Sequence, residues 1–100
     1  MGQQRETKFK EKVVNKLKLL APDVWFTKIQ QMSKKGDPDF ILCVRGKFEA
    51  WELKTEDGKA TRLQEYTLDK VRQAQGVAIV VDPSNLDYHI ARLTSKLLSD

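Results

Sequence analysis

The sequence predicts a small α/β domain in which helices flank a mixed β-sheet, with the elements in the order αβββαβα. Two short apolar runs on either side of residues 45–46 predict a β-hairpin, because β-branched and aromatic residues bounded by Pro and Gly are typical of strands. A helical segment at 61–75 leads from that hairpin to another apolar run at 77–81. Because a strand, a helix and a strand in succession form a right-handed crossover between parallel strands, parallel and antiparallel pairs share the sheet.

The first helix is predicted over residues 5–20, where apolar residues recur at helical spacing: Phe9, Val13, Leu17 and Leu20. At about 100° per residue, Glu6 falls in the middle of this apolar stripe, whereas Glu11 falls near the lysine-rich side. An acid directed inward at a helix start has two explanations. The helix dipole favours carboxylates in the first turn, or the carboxylate belongs to a site.

A first strand is predicted at residues 24–29, where apolar and polar side chains alternate, and we expect it near an edge of the sheet. The polar, basic segment 30–35 then leads directly into Gly36-Asp37-Pro38-Asp39. Lys34 and Lys35 are therefore expected beside any site that includes Asp39, where they would contact phosphate. A surface loop without such contacts is the alternative.

The hairpin consists of Phe40–Val44 and Phe48–Leu53, which flank Arg45-Gly46. Gly46 supplies the positive φ that a tight hairpin turn requires. If these two residues form the loop, the numbers of paired residues sum to 91. The single cysteine, Cys43, excludes an internal disulfide and a cysteine-rich zinc site. Its place inside an apolar run predicts a buried small hydrophobe.

This register places Asp39 opposite Glu52 at the open end of the hairpin. Directly opposed side chains lie about 4.5–5.5 Å apart at Cβ, and Lys54 falls on the face of Glu52 because side chains alternate along a strand. Facing carboxylates destabilise a sheet unless a cation lies between them, and Mg²⁺ prefers such oxygen ligands. A loop one residue longer would make the carboxylates diagonal neighbours. The structural alternative is a turn-capping Asp39 beside edge-strand charges.

The second helix begins at Thr61, and Gln64 three residues later completes a capping-box pattern. Gln64 is therefore either a helix cap or a member of a site, and the two roles are compatible. Gly76 is expected to end this helix as its C′ glycine. The strand at 77–81 is apolar throughout, which predicts burial on both faces.

The last helix is predicted to begin after Ser84 as its cap, with an apolar stripe formed by Leu86, Ile90, Leu93 and Leu97. His89 lies at the margin of that stripe. A lone histidine in this position is expected to be a packed or half-exposed side chain rather than a catalyst.

Composition indicates one globular domain spanning residues 1–100, with 40% hydrophobic and 32% charged side chains. No apolar run reaches the roughly 20 residues of a membrane span. The charged N-terminus lacks a signal-peptide core, so we expect a cytoplasmic protein. Residues 1–35 hold nine Lys or Arg against three acids, whereas residues 36–100 hold nine against eleven. A basic excess suits a phosphate-contacting surface, and a solvated helix face explains it equally well.

The ordered residues around the hairpin resemble the PD-(D/E)XK nuclease superfamily and, within it, the VRR-NUC branch. The matching positions are Gly36, Pro38-Asp39, Glu52-Leu53-Lys54, Gln64 and Gly76. The resemblance covers roughly residues 6–81. This branch includes stand-alone phage and bacterial nucleases, and it is similar to archaeal Holliday-junction resolvases. The implied fold is the restriction-endonuclease-like core, in agreement with the predicted element order.

The resemblance also implies a site and a cofactor. Mg²⁺ or Mn²⁺ would bind Asp39, Glu52 and the Leu53 carbonyl, with Lys54 acting on the attacking water or the scissile phosphate. The family places a third acid on its first helix, here Glu6, and a glutamine beside the active site, here Gln64. The expected DNA contacts are Lys34, Lys35, Lys59 and Arg62.

The predicted function is a metal-dependent, structure-specific DNA endonuclease that resolves four-way junctions as a homodimer. Two symmetric cuts need two copies of the site, which a two-fold dimer supplies. Helix one, the last helix at Leu93–Leu98 and the first strand are equal candidates for the interface. A bacterial or phage-infected cell is the expected setting. The alternatives are a non-catalytic nucleic-acid-binding module and an RNA-directed protein of the same fold.

Overall fold

The computed structural model describes residues 2–29, 36–55 and 58–98. Its elements are α1 (Gly2–Lys18), β1 (Val24–Lys28), β2 (Phe40–Val44), β3 (Lys47–Leu53), α2 (Arg62–Gln73), β4 (Val77–Val81) and α3 (Leu86–Leu98). The predicted α/β class and element order are confirmed. None of the described helices is long and apolar enough to cross a membrane.

The sheet has the strand order β1-β2-β3-β4, with antiparallel pairing from β1 to β3 and parallel pairing between β3 and β4. The predicted mixed sheet and the edge position of β1 are thus confirmed. The hairpin turn has φ of 50° at Arg45 and 92° at Gly46, as a type I′ turn requires at both central residues. Val44 pairs with Lys47 and Phe40 with Trp51, which is the predicted register.

Helices α1 and α3 cover one face of the sheet and enclose the larger core. Its fully buried members come from both helices and from the strands: Val13, Leu17, Phe40, Trp51, Val81 and Leu93. Helix α2 covers the opposite face at β3 and β4, where Leu68 packs on Ala50 and Ala78. The face under α1 and α3 is therefore covered more completely than the face under α2.

The α2 face of β1 and β2 is exposed at its centre. Trp25, Cys43 and Phe48 lie side by side in the strand register, and Trp25 is 60% exposed. The prediction that Cys43 is buried is wrong. Side chains alternate between faces, and Cys43 points to the half of the sheet that α2 does not reach.

Both ends of α2 are closed by hydrogen bonds. The predicted capping box is present: Gln64 N donates to Thr61 Oγ1 (3.2 Å), and Thr61 N donates to Gln64 Oε1 (2.8 Å). At the other end Gln75, with φ of 75°, occupies the left-handed C′ position predicted for Gly76. Gly76 follows it, and its N–H donates to Val71 O (2.9 Å), as in a Schellman motif. A Cβ at Gly76 would lie 2.9 Å from Val71 Cγ1, which explains the glycine there.

Helix α3 begins after a reciprocal turn rather than after a serine cap. Asp82 Oδ1 accepts hydrogen bonds from Ser84 and from Asn85 N, and Asn85 Oδ1 accepts from Asp82 N (2.9 Å). The predicted capping role of Ser84 is wrong because its hydroxyl donates to Asp82. His89 is packed, as expected, against Trp51 and Tyr88.

Candidate active site

The segment before β2 fixes Asp39 at the open end of the hairpin. Leu53 N donates to Asp39 Oδ2 (2.8 Å), and Ile29 N donates to the Asp39 carbonyl (2.9 Å). Gly36 has φ of 93°, and a Cβ there would lie 2.6 Å from Leu63 Cγ. A side chain at this position would push the segment away from α2, so glycine is required where the chain enters the site.

Glu52 is buried beside Asp39, with only 2% of its surface exposed. Glu52 Oε2 lies 3.5 Å from Lys54 Nζ, whereas Oε1 is buried and accepts no hydrogen bond from any described residue. Burial, and next the Asp39 carboxylate, raise the pKa of the Glu52 carboxyl to about 7, although Lys54 opposes both effects. The pair is therefore short of positive charge, as the facing register predicts.

These residues line a cavity of about 300 Å³ between the N-terminal parts of α1 and α2. Its walls are formed by Glu6, Phe9, Lys10, Asp39, Glu52, Leu53, Lys54, Thr55, Gly58 and Gln64. All six residues predicted for the catalytic and metal positions lie in this wall.

The two acids of α1 lie in different places, as the helical phase predicts. Glu6 lines the cavity, whereas Glu11 lines a groove between α1 and β1. Helix α1 begins at Gly2, and no acid lies in its first turn. Because the dipole effect falls off within the first turn, it does not account for the inward position of Glu6.

Gln64 closes the cap of α2 and also lines the cavity, so the two roles predicted for it coexist in one side chain. Its Oε1 accepts from the Thr61 N–H, and this bond does not use the two N–H donors of the amide nitrogen. Gln64 can therefore cap the helix through its oxygen and donate hydrogen bonds to a ligand through its nitrogen.

The predicted DNA contacts are placed only in part. Lys59 and Arg62 are exposed at the start of α2, whereas Lys34 and Lys35 lie outside the described residues. Sequence reasoning missed Lys10, which lines the cavity. The signal was available, because Lys10 follows the inward Glu6 by four residues, and such pairs share a helix face.

The donor set fits a hard divalent cation. Asp39 and Glu52 offer carboxylate oxygens, and a buried carboxylate oxygen without a hydrogen-bond donor is a position that a cation satisfies. Among residues 2–29, 36–55 and 58–98, no group of three or more Asp, Glu, His or Cys side chains is close enough to bind a metal. Any ion here would thus take two side-chain ligands and complete its shell with backbone, water or phosphate oxygens.

A second buried acid lies on the same strand, and sequence reasoning did not identify it. Glu49 is completely buried and accepts two hydrogen bonds of 2.9 Å from Arg92. Trp51 Nε1 donates to it as well (3.0 Å), and Lys96 Nζ lies 3.9 Å away. This cluster joins β3 to α3 on the face opposite Glu52.

Comparison with known proteins finds no matching family model, no similar curated protein and no similar solved structure. The interpretation of the cavity therefore depends on its own residues and on the sequence pattern.

Proposed function

We propose that this protein is a metal-dependent endonuclease with a restriction-endonuclease-like core, which hydrolyses phosphodiester bonds in DNA. The observation that carries the proposal is the buried, unpartnered Oε1 of Glu52, next to Asp39 and Lys54 in one cavity. A stable fold does not need two facing carboxylates with one unsatisfied oxygen, because a buried unsatisfied acceptor costs about 1–3 kcal/mol. A site for a cation and a phosphate accounts for this arrangement.

Asp39, Glu52 and the Leu53 carbonyl would hold Mg²⁺ or Mn²⁺. When bound, such an ion polarises a phosphoryl oxygen and lowers the pKa of a bound water. Lys54 donates a hydrogen bond to the attacking water or to a non-bridging phosphate oxygen, where it stabilises developing negative charge. One water is consumed for each bond, and the products are a 5′-phosphate and a 3′-hydroxyl. Glu6 and Gln64, which also line the cavity, orient the groups bound there.

The primary test replaces each carboxylate by its amide. Asp39→Asn and Glu52→Gln should each abolish Mg²⁺-dependent cleavage while retaining DNA binding, because basic residues supply affinity and the two acids oppose the phosphate. Asp69→Asn is the matched control, since Asp69 is exposed on α2 and pairs with Arg72. Mg²⁺-dependent cleavage by highly purified amide variants at the control's rate would refute the site.

Metal binding has a readout that is independent of cleavage. An ion at about 100 times its Kd stabilises the folded protein by about 2.7 kcal/mol. Titration with Mg²⁺ or Mn²⁺ should therefore raise the thermal midpoint of the wild type, and a chelator should reverse the shift. Glu52→Gln should show little shift, and an equal shift in that variant would place the ion elsewhere.

The proposed substrate is a four-way junction, and the proposed assembly is a homodimer. Among the described residues the proposal assigns one cleavage site to each chain, whereas resolution needs two symmetric cuts. A domain of 100 residues also has little surface for reading bases, so shape recognition through phosphates is the expected mode. Trp25 on β1 and Leu98 on α3 are exposed apolar side chains at two of the three predicted interfaces.

Light scattering at micromolar concentration and a panel of labelled substrates test both parts. We expect a dimer that cleaves junctions faster than flaps, duplex, single strands or RNA, and only with Mg²⁺ or Mn²⁺. Preferred cleavage of RNA would identify an RNA-directed nuclease, and tight binding without cleavage would identify a non-catalytic module. A monomer that prefers flaps would refute the junction assignment while leaving the metal site intact.

A further inference from the structure

A second concave surface lies next to the candidate active site, between α1 and the edge strand β1. This groove has a volume of about 570 Å³ and is lined by Thr7, Lys10, Glu11, Val14, Asn15, Lys18 and Lys28. Three of its residues are lysines and one is an acid. Both Lys18 and Lys28 are exposed, so the groove presents a net positive surface to solvent.

Different sides of α1 contact the core, α3 and the groove. Val13 and Leu17 are buried in the core, and Lys16 turns toward α3, where its Nζ lies 3.4 Å from Asp87 Oδ1. Lys10 and Lys18 line the groove at β1 together with Lys28, as residues eight apart on one helix face can do. Lys16 therefore pairs with α3, whereas Lys10 and Lys18 line the groove.

Lys10 connects the groove to the candidate active site, because it lines both surfaces. Thr7 in the groove directly follows Glu6 in the cavity wall. A polymer that lies in the cavity can thus continue along α1 past Lys10 into the basic groove.

The length of the groove fits a short run of phosphates. From Lys10 to Lys18 the helix rises about 12 Å, at about 1.5 Å per residue. One strand of a duplex places a phosphate about every 3.4 Å along its axis. The distance from Lys10 to Lys18 therefore corresponds to about three or four consecutive phosphates. Lys28 lines the same groove from β1.

We propose that this groove binds the phosphate backbone of the nucleic-acid arm that leaves the cleavage site along α1 toward the β1 edge. The proposal rests on the proposed nuclease function and assigns it a substrate path. Contacts with phosphates position a duplex without reading its sequence. Lys18 and Lys28 are accordingly binding residues for the arm and make no contact at the scissile bond.

The test is the salt dependence of binding, measured by fluorescence anisotropy with a labelled duplex and Glu52→Gln protein in chelator. The slope of log affinity against log salt changes by about 0.9 for each phosphate contact. Adding Lys18→Gln and Lys28→Gln together should reduce the slope by about two and weaken binding about tenfold or more. Adding Lys16→Gln instead is the matched control, and its slope should equal that of the parent.

Equal slopes for the double-lysine variant and the Lys16→Gln control would overturn the inference, as would a parent protein that does not bind duplex at low salt. The two proposals fail in different ways. If the wild type cleaves with Mg²⁺ but the slopes are equal, the groove assignment fails and the nuclease remains. If the slope falls as expected but the wild type never cleaves, the groove assignment holds and the nuclease fails.

Discussion

Strand β3 contains two buried glutamates, Glu49 and Glu52, and their electrostatic environments are opposite. Burial alone would raise the pKa of Glu49, but hydrogen bonds from Arg92 and Trp51 outweigh it and lower that pKa. Burial and the neighbouring Asp39 carboxylate together raise the pKa of Glu52 to about 7. Both side chains are almost inaccessible, so burial does not distinguish a structural acid from a candidate ligand. The difference is the partner: Glu49 is fully paired, whereas Glu52 keeps an unsatisfied oxygen.

The largest expected effect comes from removing the partner of the satisfied glutamate. Arg92→Met leaves Glu49 buried without its guanidinium, and loss of one member of a buried pair costs about 3–5 kcal/mol. Chemical denaturation should show this loss, and Glu49→Gln combined with Arg92→Met should recover part of it. Lys16→Met, which removes an ion pair with the exposed Asp87, is the control and should cost at most about 1 kcal/mol. If the Arg92 and Lys16 variants lost similar free energies of unfolding, the pair of Glu49 and Arg92 would not stabilise the fold more than an exposed ion pair does.

The next effect compares the two glutamates by pH in metal-free buffer. The folded pKa of Glu52 is raised from 4.5 to about 7, so its ionisation destabilises the fold as pH rises through that window. Glu52→Gln should therefore be more stable than the wild type above pH 7, by a difference on the order of 3 kcal/mol at most. This advantage should disappear below the ordinary value of 4.5.

Glu49→Gln should have the opposite sign. Its folded pKa is lowered, so its contribution to stability is present above the ordinary value of 4.5 and is lost as pH falls through the folded pKa. Urea unfolding of both variants and the wild type across this range provides the measurement. Parallel pH profiles for the two glutamine variants would contradict the comparison.

A smaller effect is expected from Glu6, the acid of α1 that lines the same cavity as Glu52. Glu6→Gln should slow single-turnover cleavage at saturating protein by about tenfold or more, which corresponds to about 1.4 kcal/mol. Glu11→Gln should be nearly silent in the same assay, because Glu11 faces the groove at β1. Equal, mild effects would show that α1 contributes only packing to the site, and the reverse ranking would contradict the assignment of Glu6.

The smallest effect separates the two roles of Gln64. Thr61→Ala removes one half of the capping box and should cost about 1 kcal/mol of stability without changing the cleavage rate. Gln64→Ala should cost a similar amount and also slow cleavage several-fold, because its amide faces the cavity. Thermal unfolding and single-turnover rates of both variants distinguish a capping role of Gln64 from a role in cleavage. Equal rates would limit Gln64 to capping.

The sequence predicted those parts of the site that local chemistry determines. A two-residue turn at Arg45-Gly46 allows one register, and this register alone places Asp39 beside Glu52. The helical phase separated Glu6 from Glu11 in the same way. Each inference needed only a period of 2 or 3.6 residues and one turn residue.

The parts that depend on distant packing were missed. Arg92 lies 43 residues from Glu49, so no local pattern pairs them. A partial signal existed, because Glu49 and Glu52 are three positions apart on a strand and must face opposite sides. The glutamate that faces α1 and α3 is Glu49, and its partner is Arg92 of α3. Cys43 was misjudged for a related reason, since the reach of α2 across the sheet is a tertiary property.

The open half of the α2 face has a practical consequence for spectroscopy. Cys43 is the only cysteine in the chain, it is exposed, and it lies next to Trp25 in the strand register. A thiol-reactive dye would therefore attach at one defined point on β2, without any substitution. Trp51 is fully buried and Trp25 is 60% exposed, so a quencher in solvent would reach one indole and not the other. In one sample, Trp51 fluorescence could then report on the folded core, and Trp25 with the dye on Cys43 could report on whether a partner covers the exposed α2 face of β1 and β2.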